Sequence, residues 1–415
     1  MPKLWIDLTD LSRWRGSMTG IPRVVYELAT RFNANNGSMI GFFVHNEEQH
    51  KCYEVTFDNL YDNVSFIKNN KCEVNLIFKL FNKIKNSKII KKINSRKITH
   101  SQLIANLPQH FNATAPFSKN DIIFIMGSTW DCTTKIHDLV SLKHNLDLKY
   151  VQIIYDVIPT FHPQLFGPGF ASQFDSCMFE SIVNADLLLC ISEATKQELL
   201  KFCTITRIKS PPIKIIRCGE DYTQHSAPVI PKINLVENEP FILCLGTLEG
   251  RKNQNLLYYV VKEALYKGID IPKIVIAGRA GWLVQDLSYI LKNDNMLYDK
   301  LQYLGEVTDE EKTWLYQNCS FTIYPSVFEG WGLPVAESLY YGKPCLSSSI
   351  SSMPEIGGNL VDYFSPFDTG ECLRKIIEYS KPDVLAKQVE KIKLSYKPFS
   401  WDQTFKQVEG YINDL

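Results

Sequence analysis

The chain has 415 residues, of which 45% are hydrophobic and 22% charged, which is long enough for two or three folded domains and too apolar for a disordered protein. Lys plus Arg and Asp plus Glu number 45 each, so no net charge marks a nucleic-acid partner. The first residues, MPKLWIDLTD, lack the apolar run of a signal peptide, and the eleven cysteines include no Cys-x-x-Cys pair. These features favour a cytoplasmic protein with reduced thiols.

The first half of the chain alternates strand-like apolar runs with amphipathic segments, the pattern of a parallel-sheet domain. KLWIDLT and MIGFFVH predict strands on either side of a helix in IPRVVYELATRF. The runs DIIFIMG, YVQIIYD, DLLLCIS and IKIIRCG predict further strands, and a helical pattern runs from Ala171 to Asn184. We therefore expect an N-terminal Rossmann-like domain over residues 1–222, followed by a linker over residues 223–239.

Residues 76–98 depart from this alternation. They contain eight basic residues from Lys79 to Lys97 and no acidic residue, with apolar side chains between them. A solvated lysine-rich face is one interpretation. The other is a basic amphipathic insertion that docks on an anionic membrane surface.

The second half repeats the alternation. FILCLGT, KIVIAG, LQYLG, SFTIYPS, PCLSSS and LVDYF predict the strands of a second sheet, in a domain over residues 240–395. The segment TDEEKTWLYQN has a capping-box pattern, with Thr308 as N-cap and Glu311 three residues later. A closing helix is expected within residues 396–415. The predicted fold class is α/β, with two doubly wound domains in tandem.

The stretch FEGWGLPVAES places Glu329 and Glu337 on either side of a glycine-rich turn and a helix start. Ligands of open α/β sheets bind beyond the carboxyl ends of the strands, and a helix start suits a diphosphate. Ionised carboxylates accept strong hydrogen bonds from sugar hydroxyls. The pair fits a nucleotide-sugar site, and it fits equally well a solvent-facing helix residue at Glu337 and a loop charge at Glu329.

The stretch FILCLGTLEGRKN predicts a buried strand followed by Arg251 and Lys252 at the opening of a helix. Cations at a helix start oppose the helix dipole, which favours a functional role such as neutralising a diphosphate. A third glycine loop, TDLSRWRGSMTGIPRVV, brings Gly20 to the start of a helix in the first domain.

Together these motifs resemble the retaining nucleotide-sugar glycosyltransferases of the GT-B fold, specifically glycosyltransferase family 4. FEGWGLPVAES resembles the Glu-x7-Glu signature of that family, GTLEGRKN its donor-phosphate segment and TGIPRVVYEL its first-domain glycine loop. CISEATKQEL, IIYDVIPTFHP, FSPFD and SWDQTF resemble further markers, so the resemblance covers nearly the whole chain.

The resemblance implies that Glu329 binds the donor hexose, and that Lys252, with Arg251, binds the diphosphate. It implies that Glu337 binds the ribose hydroxyls and that Gly20 approaches the diphosphate from the first domain. Main-chain groups near Gly305 would contact the base. The donor-binding residues implied in this way are Glu337, Gly20, Thr247, Gly305, Glu306, Val307, Gly330, Trp331, Gly332 and Leu333.

The chain departs from the family pattern at two positions. Tyr155, before Asp156, stands where many members have a histidine near the donor sugar, and a tyrosine does not titrate near neutral pH. Thr247 stands where many members have an arginine. Tyr155 and Asp156 are thus candidates for contacts to the sugars, and Arg251 is a candidate substitute for the arginine at position 247.

The implied reaction is hexose transfer with retention, in which Lys252 and Arg251 stabilise the leaving diphosphate. No metal or cofactor is expected, and the chain contains no Asp-x-Asp pair. GDP-mannose or a related deoxyhexose donor is favoured, with a UDP-hexose as the alternative. The acceptor expected is a growing, lipid-linked bacterial surface glycan.

Three other functions fit parts of the pattern. A nucleotide-sugar epimerase shares the fold but needs no acceptor, and a non-catalytic partner would bind the nucleotide sugar without cleaving it. A glycoside hydrolase could use two carboxylates but has no need for Arg251 and Lys252.

Overall fold

The computed structural model describes residues 2–14, 20–35, 39–58, 114–131, 133–221, 227–233, 239–297 and 299–415. The chain divides into two compact units, residues 1–153 with 177–187, and residues 154–176 with 188–415. The domain boundaries inferred from the sequence remain predictions. The basic insertion at residues 76–98 and part of the predicted linker lie outside the described residues.

The first sheet contains, within the described part of the chain, seven strands in the order β3-β2-β1-β4-β5-β6-β7. These strands are β1 Leu4–Asp7, β2 Ile40–Asn46, β3 Lys51–Val55, β4 Ile122–Ile125, β5 Lys149–Ile154, β6 Leu187–Cys190 and β7 Ile213–Ile215. The pairs β1–β2, β1–β4, β4–β5 and β6–β7 are parallel, which confirms the predicted parallel sheet.

Strand β3 is an exception to this parallel arrangement among the described strands, and no sequence pattern predicted it. It pairs antiparallel with β2 at the edge of the sheet. Its sequence, KCYEV, is half polar, and an edge strand with one exposed side needs no continuous apolar run. Its weak hydrophobic pattern is therefore a consequence of its position.

Helix α2, Ile21–Asn35, is amphipathic, and its apolar side chains Val24, Val25, Leu28 and Phe32 are buried. The described helices of this part are α1 Thr9–Arg13, α2 Ile21–Asn35, α3 Thr133–Leu146, α4 Ile158–Phe161, α5 Phe170–Asn184 and α6 Glu193–Thr206. Helix α6 begins after Ser192, whose side chain accepts a hydrogen bond from Thr195 N.

The second sheet contains six described strands in the order β10-β9-β8-β11-β12-β13. They are β8 Phe241–Leu245, β9 Lys273–Ala277, β10 Leu301–Tyr303, β11 Phe321–Tyr324, β12 Cys345–Ser348 and β13 Asp362–Phe364. All five pairs of neighbours are parallel. The chain runs outward from β8 to β10 and returns to β11, so the strand order reverses between β8 and β11. A crevice at such a reversal is where ligands of doubly wound sheets bind.

The helices around the second sheet are α7 Asn255–Tyr266, α8 Gln285–Asn293, α9 Asp309–Asn318, α10 Leu333–Tyr340, α11 Met353–Gly357, α12 Thr369–Tyr379, α13 Pro382–Ser395 and α14 Trp401–Asn413. Both halves of the predicted capping box at Thr308 and Glu311 are formed, so this prediction is confirmed. No helix among the described residues is both long and apolar enough to cross a bilayer.

Helix α14 packs against residues 217–221. A Cβ atom at Gly219 would lie 2.4 Å from the ring of Trp401, so only glycine allows the ring to approach this closely. Trp401 N donates to Asp221 Oδ1 at 2.8 Å, and Glu220 N donates to Phe399 O at 2.7 Å. The end of the described chain is therefore fixed to a segment about 180 residues earlier by both packing and hydrogen bonds.

Candidate functional site

The loops that follow β8 and β11 meet at the carboxyl edge of the second sheet. Val327 N donates to Arg251 O at 2.8 Å, and Asn253 Nδ2 donates to Pro325 O at 3.1 Å. Because these bonds join the two loops, the cations of one loop and the first glutamate of the other lie side by side.

Glu329 is the centre of this arrangement and is 7% exposed. Its Oε1 atom accepts hydrogen bonds from Lys252 Nζ and from Ser326 Oγ, the latter at 2.9 Å. Its Oε2 atom accepts a hydrogen bond from Arg251 Nη1. Burial acts to raise the pKa of Glu329, but Arg251 and Lys252 lower it to about 2, so the carboxylate is ionised at neutral pH.

Arg251 has a second carboxylate partner, Glu249, whose side chain is 2% exposed. Arg251 Nη2 lies 2.8 Å from Glu249 Oε1, and Arg251 Nη1 also donates to Phe328 O at 3.3 Å. Burial acts to lower the pKa of Arg251, but Glu329, Glu249 and Asp156 raise it above its ordinary value. The guanidinium therefore stays charged between its acidic neighbours.

The prediction that Arg251 and Lys252 open an α-helix is wrong. They lie in a 3-10 turn, Gly250–Lys252, and Asn253 then adopts a left-handed conformation with φ of +56°. The α-helix α7 begins later, at Asn255. A residue with positive φ interrupts helical hydrogen bonding, so the two cations lie ahead of the helix and not in its first turn.

Tyr155 and Asp156 approach the same loop. A Cβ atom at Gly330 would lie 2.0 Å from the carbonyl oxygen of Tyr155, so this close backbone contact requires glycine. Tyr155 is buried, and Asp156 Oδ1 accepts a hydrogen bond from Ile158 N at 3.1 Å. Burial raises the pKa of Asp156 above its ordinary range, and Arg251 opposes this effect.

Helix α6 also contacts the loop after β11. Ser192 Oγ donates to Gly330 O at 2.8 Å. Glu355, on α11, accepts hydrogen bonds from Glu193 N and Ala194 N, both at 2.7 Å. The first amides of α6 thus bind a carboxylate that is 162 and 161 residues away in sequence.

Glu337 is buried, at 6% exposure, so the alternative of a solvent-facing helix residue is wrong. Tyr316 Oη donates to Glu337 Oε2 at 2.7 Å, and the Tyr316 ring stacks on Tyr341 with centroids 4.9 Å apart. Burial and the Glu337 charge raise the pKa of Tyr316, so the phenol remains a donor.

Hydrogen bonds to its main-chain oxygens hold the turn between the two glutamates. Ser352 Oγ donates to Glu329 O at 2.9 Å and also to Trp331 O. Gly332 has φ of +131°, and helix α10 begins at Leu333 directly after it. The predicted donor-binding residues Gly330, Trp331, Gly332 and Leu333 therefore form one continuous turn at the head of α10.

The other predicted donor-binding residues of the second unit follow neighbouring strands. Thr247 O accepts a hydrogen bond from Gln254 Nε2 at 3.0 Å, and Gly305 O accepts one from Gly278 N at 2.7 Å. Glu306 is exposed and Val307 is half-buried. Gly20 lies in the first unit, before α2. The donor-binding roles of all these residues remain predictions.

Several residues that no sequence pattern singled out contact the predicted site residues or their immediate neighbours. Glu249 contacts Arg251, Ser326 contacts Glu329, and Tyr316 contacts Glu337. The ring of His162 stacks on Phe328, the residue before Glu329, with centroids 3.5 Å apart. Glu249 and Ser326 lie within or beside the motifs, but neither residue type shows from sequence that it is buried. Tyr316 is 21 residues from Glu337, and no local pattern connects them. Among the described residues, no group of His, Cys, Asp and Glu could hold a metal ion.

Residues 227–395, which contain both glutamates and both cations, match the family model described as glycosyl transferases group 1. The chain is 26% identical over 281 residues to O-antigen chain mannosyltransferase B of Escherichia coli, covering 65% of this chain and 71% of that protein. It is 24% identical over 289 residues to serotype-specific mannosyltransferase WbdA of Escherichia coli. That match covers 65% of this chain but only 34% of WbdA, about a third of its length.

Among solved structures, the chain is similar to the crystal structure of Anabaena Alr3699/HepE in complex with UDP-glucose. The TM-score is 0.60 at 11% sequence identity, and the match covers 100% of both chains. A likeness at this identity concerns the fold. The two parallel-sheet α/β domains have the GT-B fold, as the sequence motifs predict.

Proposed function

We propose that this protein is a retaining glycosyltransferase that moves a hexose from a nucleotide sugar to a glycan acceptor. The observation that supports this most directly is the contact of Glu329 with Arg251 and Lys252 at the strand-order reversal of the second sheet. A carboxylate for sugar hydroxyls and a cation for a diphosphate are the two groups that a nucleotide-sugar donor requires. The match to glycosyl transferases group 1 spans the same residues.

In the proposed reaction, the bond between the hexose C1 atom and the diphosphate oxygen breaks, and C1 forms a bond to the acceptor oxygen on the same face. The acceptor proton passes to the departing diphosphate. Lys252 stabilises the charge that develops on the diphosphate, and Glu329 holds the hexose by its hydroxyls. Glu337 binds the ribose hydroxyls. No metal takes part, so transfer should be unchanged by EDTA.

The donor we propose is GDP-mannose or a related deoxyhexose nucleotide, and the acceptor a growing, lipid-linked bacterial surface glycan. The names of the two Escherichia coli relatives, both mannosyltransferases and one an O-antigen chain enzyme, support this choice. A UDP-hexose donor is the alternative that the experiment below separates from it.

The test is a nucleotide panel of GDP, UDP, dTDP and ADP, measured by thermal stabilisation of the wild type and of Glu337→Ala. A ligand at a hundred times its dissociation constant adds about 2.7 kcal/mol to the free energy of unfolding. We expect GDP to stabilise the wild type most and Glu337→Ala to reduce the effect. Transfer of radiolabelled mannose from GDP-mannose to a lipid-linked acceptor then tests catalysis.

A larger shift with UDP would replace the donor and leave the reaction class intact. Stabilisation by a nucleotide without transfer to any acceptor would favour the non-catalytic partner. An altered sugar nucleotide formed without acceptor would favour the epimerase. Absence of stabilisation by every nucleotide would contradict the proposed site itself.

A further inference from the structure

We propose that Arg251 is a positioning residue that holds Glu329 in place, with Glu249 as its second anchor, and that Arg251 does not contact the donor diphosphate. This inference rests on the proposed function, in which Glu329 binds the hexose. It departs from the sequence-based expectation that Arg251 joins Lys252 on the diphosphate. We call Glu249, Arg251 and Glu329 the Arg251 clamp.

The hydrogen bonds of the guanidinium support this role. Nη1 donates to Glu329 Oε2 and to Phe328 O, while Nη2 lies 2.8 Å from Glu249 Oε1. A planar guanidinium can bridge two carboxylates in this way because its N–H groups point in fixed directions. Moving it to a phosphate would leave the Glu249 side chain, which is 2% exposed, as a buried charge without its cation.

The main chain of Arg251 strengthens the connection. Arg251 O accepts a hydrogen bond from Val327 N at 2.8 Å, two residues before Glu329. The side chain of Arg251 reaches the same loop at Phe328 O. Both ends of Arg251 therefore fix the loop that carries Glu329, which is the arrangement expected of a residue that sets the position of another.

Lys252 differs from Arg251 in ways that suit a phosphate ligand. Its Nζ atom donates to Glu329 Oε1, and it lies 4.0 Å from where a Cβ atom at Gly246 would be, at the end of β8. An ammonium group has three N–H donors that rotate freely, so it can turn to a new acceptor. Lys252 can thus pass to the diphosphate while Arg251 retains Glu329.

The hydrogen-bonding capacity of Glu329 fits this division. The carboxylate accepts from Arg251, Lys252 and Ser326. An ionised carboxylate has about four lone-pair sites, so the release of Lys252 leaves roughly two for hexose hydroxyls. The clamp then provides an ionised, oriented carboxylate whether or not the donor is bound.

The first test compares Arg251→Gln with Lys252→Gln, using GDP affinity by calorimetry and steady-state transfer from GDP-mannose. We expect Lys252→Gln to weaken GDP binding about tenfold or more, because a phosphate contact is lost. Arg251→Gln should bind GDP within about threefold of the wild type, yet lose about thirtyfold or more in kcat/KM. Arg374→Gln, which removes an exposed arginine of α12, is the matched control and should change neither value.

The second test uses readouts that a merely structural arginine would not change. Arg251→Lys keeps the charge but loses the planar guanidinium whose fixed N–H donors span Glu249 and Glu329, so we expect it to remain impaired in transfer. In Arg251→Gln the pKa of Glu329 should rise, because burial is opposed by Lys252 alone, and the acidic limb of the kcat/KM profile should move to higher pH. The loss in Arg251→Gln/Glu329→Gln should be much smaller than the product of the two single losses.

Glu249→Gln keeps the side-chain shape and removes the anchoring charge. It should retain GDP affinity and lose transfer. The control Glu390→Gln, on the exposed face of α13, should change neither. If Arg251→Gln does not fold, Arg251→Lys and Glu249→Gln decide the question by the same measurements. A loss of GDP affinity in the Arg251 variants equal to that of Lys252→Gln would overturn the clamp and leave the proposed function standing. A wild type that binds no nucleoside diphosphate would overturn both.

Discussion

Glu198, on α6, changes charge near neutral pH. Burial raises its pKa, the Asp156 carboxylate adds to this effect, and the resulting value is about 7 against an ordinary 4.5. The folded state therefore favours the protonated form. The contribution of Glu198 to stability is complete below about pH 4.5 and is lost as the pH rises to about 7.

This shift predicts the behaviour of Glu198→Gln. A glutamine has no charge to bury, so the variant should melt at a higher temperature than the wild type at pH 8 and at nearly the same temperature at pH 4.5. Differential scanning calorimetry at the two pH values measures the difference. Glu390→Gln serves as the control, and an equal effect of Glu198→Gln at both pH values would contradict the assignment.

Local sequence signals predict some residues of the candidate site and not others. The positions of Glu329, Glu337 and Lys252 at the edge of a sheet follow from glycines, prolines and strand ends, which are local signals. Glu249 and Tyr316 could not be identified in this way, because only the folded structure shows that they are buried in contact with Arg251 and Glu337. A charged residue in a turn and a tyrosine in a helix are common on any surface.

Two parts of the chain bind the first turn of α6. Ser192 caps the helix locally, and Glu355 on α11 adds two hydrogen bonds to its first amides. A carboxylate at this end also interacts favourably with the helix dipole. Helix α6 is therefore stabilised partly by a residue from a distant part of the sequence.

We expect Glu355→Ala to lower the free energy of unfolding by about 1 kcal/mol, the usual effect of losing an N-terminal cap. Glu355→Gln keeps an acceptor and loses the charge, so it should cost less. Urea unfolding followed by circular dichroism measures both variants against Glu390→Ala. If Glu355→Ala unfolds at the wild-type midpoint, the exposed carboxylate contributes nothing to the helix.

Two elements could not be predicted correctly from local sequence. Strand β3 is an edge strand with polar side chains, so its alternation is weak. The turn Gly250–Lys252 looks like the beginning of α7 until Asn253 adopts positive φ, and an asparagine has that option in many contexts. The remaining strands were predictable because buried parallel strands are short, continuous apolar runs.

Burial determines the chemistry of the cysteines in the described part of the chain. The nine cysteines of the described residues are free and buried. Burial raises the pKa of Cys244, Cys319 and Cys345 to about 12, although nearby groups partly oppose it. A thiol in this state is a poor nucleophile, because the thiolate is the reactive form.

Titration with a thiol reagent should therefore show nine protected thiols in the native protein. In denaturant all eleven cysteines of the sequence should react. Native reactivity beyond two thiols within minutes would contradict the burial. Iodoacetamide labelling followed by mass spectrometry would identify the positions that react.

The fold as a whole was predictable, because two series of alternating strands and helices permit few arrangements. The identities of the donor and the acceptor remain predictions. A base or a hexose is selected by a few hydrogen bonds whose positions depend on tertiary contacts, and residues 76–98 lie outside the described part of the chain. Proteins that share a fold differ in the side chains of their loops, and therefore in the ligands that they bind.

The contact between Trp401 and Gly219 has a consequence for synthesis on the ribosome. Residues 217–221 emerge long before α14 does, and at about 5–20 residues per second α14 arrives roughly 10–40 seconds later. During that interval the backbone groups of Glu220 and the carboxylate of Asp221 have not yet met their partners at Phe399 and Trp401. This segment reaches its final packing only after the polypeptide has been extended through α14, so nascent chains stalled before residue 401 should be more sensitive to protease there.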